Sequence, residues 1–180
     1  MKKFLSVLLF LILFLAVGCA GFLWMISPKS PKNGMIWLRD QTFQLTQAYT
    51  SQKGLVNLYK DEANPQSVIS VFLIVHPKDK SLTDIWQSMS QLKDDWGKEN
   101  VQLLRGENQK PPFVRSAVLT KERHLYVYTR YTKVDDNHLQ VVIGKWPILP
   151  EITFQQVNKR YAYQLDKVLK NLPMYEALPE

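Results

Sequence analysis

No charged residue occurs between Phe4 and Ile26, a run that reads FLSVLLFLILFLAVGCAGFLWMI and follows Lys2 and Lys3. At about 1.5 Å per residue, a helix of this length reaches roughly 34 Å, enough to cross the hydrocarbon core of a bilayer. The run is apolar on every side, unlike a core helix with one buried stripe. It therefore predicts a chain that is tethered to a membrane or delivered through one, followed by a domain that folds beyond it.

Two readings of the run differ in what remains after processing. As an uncleaved signal anchor it places Trp24 near the outer interface, where an amphipathic ring is favoured. As a secretory signal it has Lys2 and Lys3 as a positive start, Phe4 to Leu15 as the apolar region, and a small-residue cleavage site after it. Ala16-Val17-Gly18-Cys19 resembles a bacterial lipobox, which implies cleavage before Cys19 and acylation of its thiol. The continuation from Ala20 to Ile26 favours the anchor, because a spanning helix uses those residues and a mature lipoprotein has no need of them. Lys29 and Lys32 nearly balance Lys2 and Lys3, and long domains translocate largely regardless of such charge. The expected topology is a short inner N-terminus in the cytoplasmic membrane and a domain facing the periplasm or exterior, with a lipid anchor as the alternative.

Charge and cysteine content narrow the partners. The 180 residues carry a formal charge of +7. Four basic residues, Lys2, Lys3, Lys29 and Lys32, precede every acidic one, so the domain alone stands at +3. That is an ordinary solvated surface with no basic run interleaved with aromatics, and nucleic acid is not expected as a partner. The only Cys lies in the apolar run. The domain therefore has no disulfide, thiolate metal site or cysteine nucleophile of its own.

Residues 1–26 are read as the anchor or signal, 27–34 as a linker broken by Pro28, Pro31 and Gly34, and 35–180 as one domain. β-branched and aromatic composition predicts strands at Ile36 to Leu38, Thr42 to Tyr49, Leu55 to Lys60 and Val68 to Val75. The last is almost continuously apolar, which predicts a central strand covered on both faces. Further strands are predicted at Val101 to Leu104, Phe113 to Thr120, His124 to Thr132 and Leu139 to Gly144, the last two joined at Asp135-Asp136-Asn137. Two amphipathic helices are predicted, from Leu82 to Trp96 behind a Ser81/Asp84 capping box, and from Phe154 to Leu172 behind Thr153/Gln156. Lys159, Arg160, Asp166, Lys167 and Lys170 make up the mixed outer face of the second. The expected class is α+β, a mainly antiparallel sheet covered by two helices and preceded by one transmembrane helix.

The segments Thr42 to Tyr49, Val68 to Val75, Leu82 to Trp96, Tyr126 to Tyr131 and Val141 through Leu172, in that order, resemble the PsbP-like and DcrB-like superfamily of α/β/α sandwich proteins. The resemblance implies a non-catalytic accessory or assembly factor that docks onto a larger, often membrane-bound, complex. It implies no particular site residue.

No phosphate loop, nucleophile elbow or zinc-protease motif occurs. His76, His124 and His138 are read as surface or strand-end residues, and the pairs Asp61-Glu62, Asp94-Asp95 and Asp135-Asp136 as turn and helix-end solvation. No catalytic residue, cofactor or metal is expected. Partner contact is the function anticipated, and two groups are candidates for it. Tyr126, Tyr128 and Arg130 share one strand face and are of types enriched in binding hot spots, although packing under a helix explains them as well. Trp146 and Ile148 stand in Lys145-Trp146-Pro147-Ile148-Leu149-Pro150, read as a proline-stiffened loop that is either a docking surface or tucked under the last helix. The alternatives from other classes are a lipid or small-ligand carrier, which requires an apolar cavity between sheet and helix, and then an enzyme.

Overall fold

A computed structural model describes residues 29–32, 34–51, 54–75, 81–120, 122 and 124–170. Along the chain they form β1 (Lys29–Lys32), β2 (Met35–Leu38), β3 (Gln41–Ser51), β4 (Gly54–Asp61), β5 (Val68–Val75), α1 (Leu82–Ser90) and α2 (Leu92–Trp96). A 3-10 turn at Lys98–Asn100 then leads into β6 (Val101–Gly106), β7 (Phe113–Thr120), β8 (Leu125–Lys133), β9 (His138–Pro147), α3 (Phe154–Arg160) and α4 (Ala162–Leu169). The strands make one sheet in the order β1-β2-β3-β4-β5-β9-β8-β7-β6, with every neighbour antiparallel. Hairpins dominate because the connections are short. Between β8 and β9, Asp135 Oδ1 accepts from the Asn137 backbone N–H at 2.7 Å and closes the turn.

One face of the sheet carries the main core. Ile36, Phe43, Tyr59, Ile69, Val142, Trp146, Tyr126, Ala117 and Leu119 come from seven strands and meet Val157, Tyr161, Leu165, Val168 and Leu169 of the C-terminal helix pair. The sheet wraps this pair, which touches β7 through α3 and β1 through α4. At the centre the Trp146 indole stacks on Tyr161, with centroids 4.5 Å apart and planes 10° from parallel. Gly144, two residues earlier on the same face, makes room for it, since a Cβ there would lie 2.3 Å from the ring. A large aromatic buries about 150 to 250 Å². At 25 cal/mol/Å² that is worth about 4 to 6 kcal/mol. The other face is covered by α1 and α2 over β6 and β7, so all eight residues of β7 are buried.

The expected α+β sandwich with two continuous helices is corrected. About half of the described residues are strand, in one wholly antiparallel sheet, and the helices are short pieces of nine, five, seven and eight residues. The first predicted helix breaks at Gln91, just after Ser88 and Ser90 hydrogen-bond back to the carbonyls of Asp84 and Trp86. Such back-bonding bends helices. The second breaks at Tyr161, whose ring is held on Trp146. Both capping boxes are present. The linker reading is also corrected, because Lys29–Lys32 pairs with β2 as an edge strand. β5 lies at the middle of the sheet, but only one of its faces is buried, and full two-sided burial belongs to β7. The run read as a transmembrane helix, Cys19 included, lies outside the described residues. Among the described residues no helix is long and apolar enough to cross a membrane.

Candidate functional site

Arg115 on β7 and Arg130 on β8 are paired directly across the sheet, on the face that carries the main core. Like charges so placed repel, and here a carboxylate from α4 separates them. Asp166 Oδ2 lies 3.3 Å from Arg115 Nε, and Asp166 Oδ1 lies 3.5 Å from Arg130 Nη1. The Tyr128 hydroxyl donates to Asp166 Oδ1 at 2.8 Å. Arg130 also donates to Thr132 Oγ1 and stacks over the Phe113 ring at 3.7 Å. Both guanidinium groups are buried, so desolvation works against them, and removing their shared carboxylate would leave two unpaired interior charges.

From this cluster a polar chain runs outward. Arg115 Nη2 donates to Gln102 Oε1 at 2.8 Å, and Asn158 Nδ2 donates to the same oxygen at 2.9 Å. The Tyr126 hydroxyl donates to Asn158 Oδ1 at 2.8 Å. Arg115 Nη1 is enclosed and makes no hydrogen bond among the described residues. Burial pushes the phenols of Tyr126 and Tyr128 well above their ordinary pKa, so both stay protonated donors.

The chain ends at an open groove of about 920 Å³ between β6 and the C-terminal helices. Its walls include Gln102 and Leu104 of β6, Arg115, Phe154, Asn158 and Lys159 of α3, and Tyr163 and Asp166 of α4, with Lys98 and Glu99 at one end. Leu104 is 42% exposed and Tyr163 57% exposed, both large apolar side chains facing solvent from opposite walls. Lys98 and Lys159 make no ion pair among the described residues. Such a hollow can accept an apolar group flanked by negative charge. No group of three or more His, Cys, Asp or Glu side chains able to hold a metal occurs among the described residues.

None of the residues anticipated as contacts lines the groove. Tyr126, Tyr128 and Arg130 are interior, with Leu125, Val127 and Tyr131 of the same strand only half-buried on the opposite face. The face of Tyr126, Tyr128 and Arg130 fills the core because its hydroxyls and guanidinium find partners on the helices. Trp146 is fully buried and belongs to β9, which continues to Pro147 with Trp146 opposite Tyr126. Its side chain is therefore unavailable to a partner in the folded domain. Ile148 is half-buried and lines a separate hollow of about 340 Å³ beside exposed Leu149. His124 and His138 stand at opposite ends of the β8/β9 hairpin, and His76 lies outside the described residues. Sequence reasoning missed Arg115 and placed Asp166 on the outer helix face. The available signal was an arginine inside the buried run FVRSAVLT, which demands a carboxylate partner. No family model and no curated protein matches the chain.

Proposed function

We propose that this chain is a membrane-anchored accessory or assembly subunit of a bacterial-type envelope complex, acting through protein contacts rather than catalysis. The charge-free run from Phe4 to Ile26 supports the tether and a domain outside the cytoplasm. The observation that carries the reading is the groove, which brings exposed Leu104 and Tyr163 together beside an outermost strand of the sheet. Solvent-facing apolar walls flanked by charge are typical of sites where a second protein sheds water.

The test is purification of the full chain from mild detergent, with mass spectrometry of what accompanies it. A defined set of membrane proteins should be retained, and Tyr163→Ala should lose it while the melting temperature changes little. Retention of no protein, or of the same proteins by Tyr163→Ala, would count against the groove. The carrier reading stays second because the groove's volume would admit a small ligand. Lipid extracted in stoichiometric amount from the same preparation would favour it.

A further inference from the structure

We propose that β6 takes up an extended, acid-bearing segment of a partner protein as an additional strand, its side chains entering the groove. This rests on the protein-contact reading above. The two ends of the sheet are treated differently. An edge strand offers unpaired N–H and C=O groups to any other chain, and proteins blunt such edges with lysine, proline and irregular register. β1 has all three: its sequence is Lys-Ser-Pro-Lys, and its register shifts between Lys29 and Lys32. β6 has none of them. Its six residues, VQLLRG, pair with β7 without a register shift and carry neither lysine nor proline. Arg105, its one charge, donates to Thr83 Oγ1 at 2.9 Å and so is engaged with α1 instead of guarding the edge.

A strand added there would lie about 4.8 Å beyond β6, with alternate side chains on the groove side. Leu104 and Tyr163 provide the apolar contact. The charges select the occupant: among the groove's walls Lys98, Arg115 and Lys159 outnumber Glu99 and Asp166, and both lysines lack an ion-pair partner among the described residues. A carboxylate entering from the added strand would meet that excess. A second copy of this chain would bring the same positive excess to the contact, so a different, acidic chain fits better.

The test pans a display library of random linear peptides against the full chain in detergent micelles. Enriched peptides should alternate apolar and polar positions and carry Asp or Glu. Leu104→Lys, which adds an edge-blocking lysine, should weaken their binding by about tenfold or more. The double substitution Lys98→Glu with Lys159→Glu should turn the enriched charge from acidic to basic. Those two side chains are exposed, so the charge switch can be read even where Leu104→Lys lowers stability. Enrichment no greater than on empty micelles, peptides lacking acid or alternation, or peptides indifferent to both variants would overturn the proposal. So would a concentration-dependent dimer that Leu104→Lys abolishes, which assigns the edge to a second copy. A membrane partner that Tyr163→Ala loses but Leu104→Lys keeps would remove the added strand and leave the accessory function standing.

Discussion

Trp146 shows how a single residue changes meaning with its neighbours. Prolines at 147 and 150 make its surroundings read as a stiff loop, yet Val142, Gly144 and Trp146 alternate on one face of β9, and that period continues into the core. Its ring has Tyr161 stacked on one side, Phe43 edge-on at 6.2 Å, and Gln41 Oε1 accepting from its Nε1 at 3.1 Å. Trp146→Ala should therefore cost about 3 to 5 kcal/mol in urea unfolding. An unchanged denaturation midpoint would mean that the ring is not packed as described. Tyr126, Tyr128 and Arg130 were hard to read for a related reason. Polar tips suggest solvent, and only the positions of Asn158 and Asp166 on the helices reveal that burial satisfies them.

Among the elements, strands were more legible than helices. All eight predicted strands are present, since β-branched runs between turn residues announce themselves locally. Helix starts were equally clear from the capping boxes at Ser81 and Thr153, but helix continuity depends on contacts that periodicity does not contain. β1 was hidden because Lys and Pro argue against a strand unless it lies at an edge, a fact of topology rather than of local sequence. Its role predicts how truncations behave. A soluble fragment beginning at Met35 strips β1 and leaves β2, with 40% exposed Trp37, as a new edge. It should self-associate at lower concentration than a fragment beginning at Pro28, as sedimentation velocity would detect. Equal behaviour of the two fragments would show that β1 does not guard the sheet.

Across the whole molecule, buried phenols link the core to solvent pH. Burial raises Tyr126, Tyr128, Tyr131 and Tyr161 above the ordinary value of 10.0. The folded state thus holds these protons more tightly than the unfolded chain does. Stability should be intact below pH 10 and fall as pH rises through the folded values. Alkaline titration should show phenolate absorbance from these residues appearing together with loss of circular dichroism. Ionisation of all the tyrosines at ordinary phenol pH in a domain that stays folded would contradict their burial. The groove itself was not legible in advance, because it is made by residues from β6, α3 and α4 that only the tertiary fold brings together.

The guarded edge and the open edge stand at opposite ends of the sheet, and the guarded one begins at Lys29, only two residues after the apolar run ends. Eight steps of about 4.8 Å separate the outermost strands, so β6 lies at most roughly 38 Å across the sheet from β1, less whatever twist removes. On the proposed reading of that run as an anchor, only Ser27 and Pro28 stand between it and the sheet, and reach would be set by the width of a hydrogen-bonded sheet instead of by a long leash. With the apolar run as the membrane anchor and β6 as the docking edge, both as proposed above, the sheet would work like a ruler: it would favour partners whose exposed strand comes within one particular height of the bilayer and pass over those that stand nearer or farther.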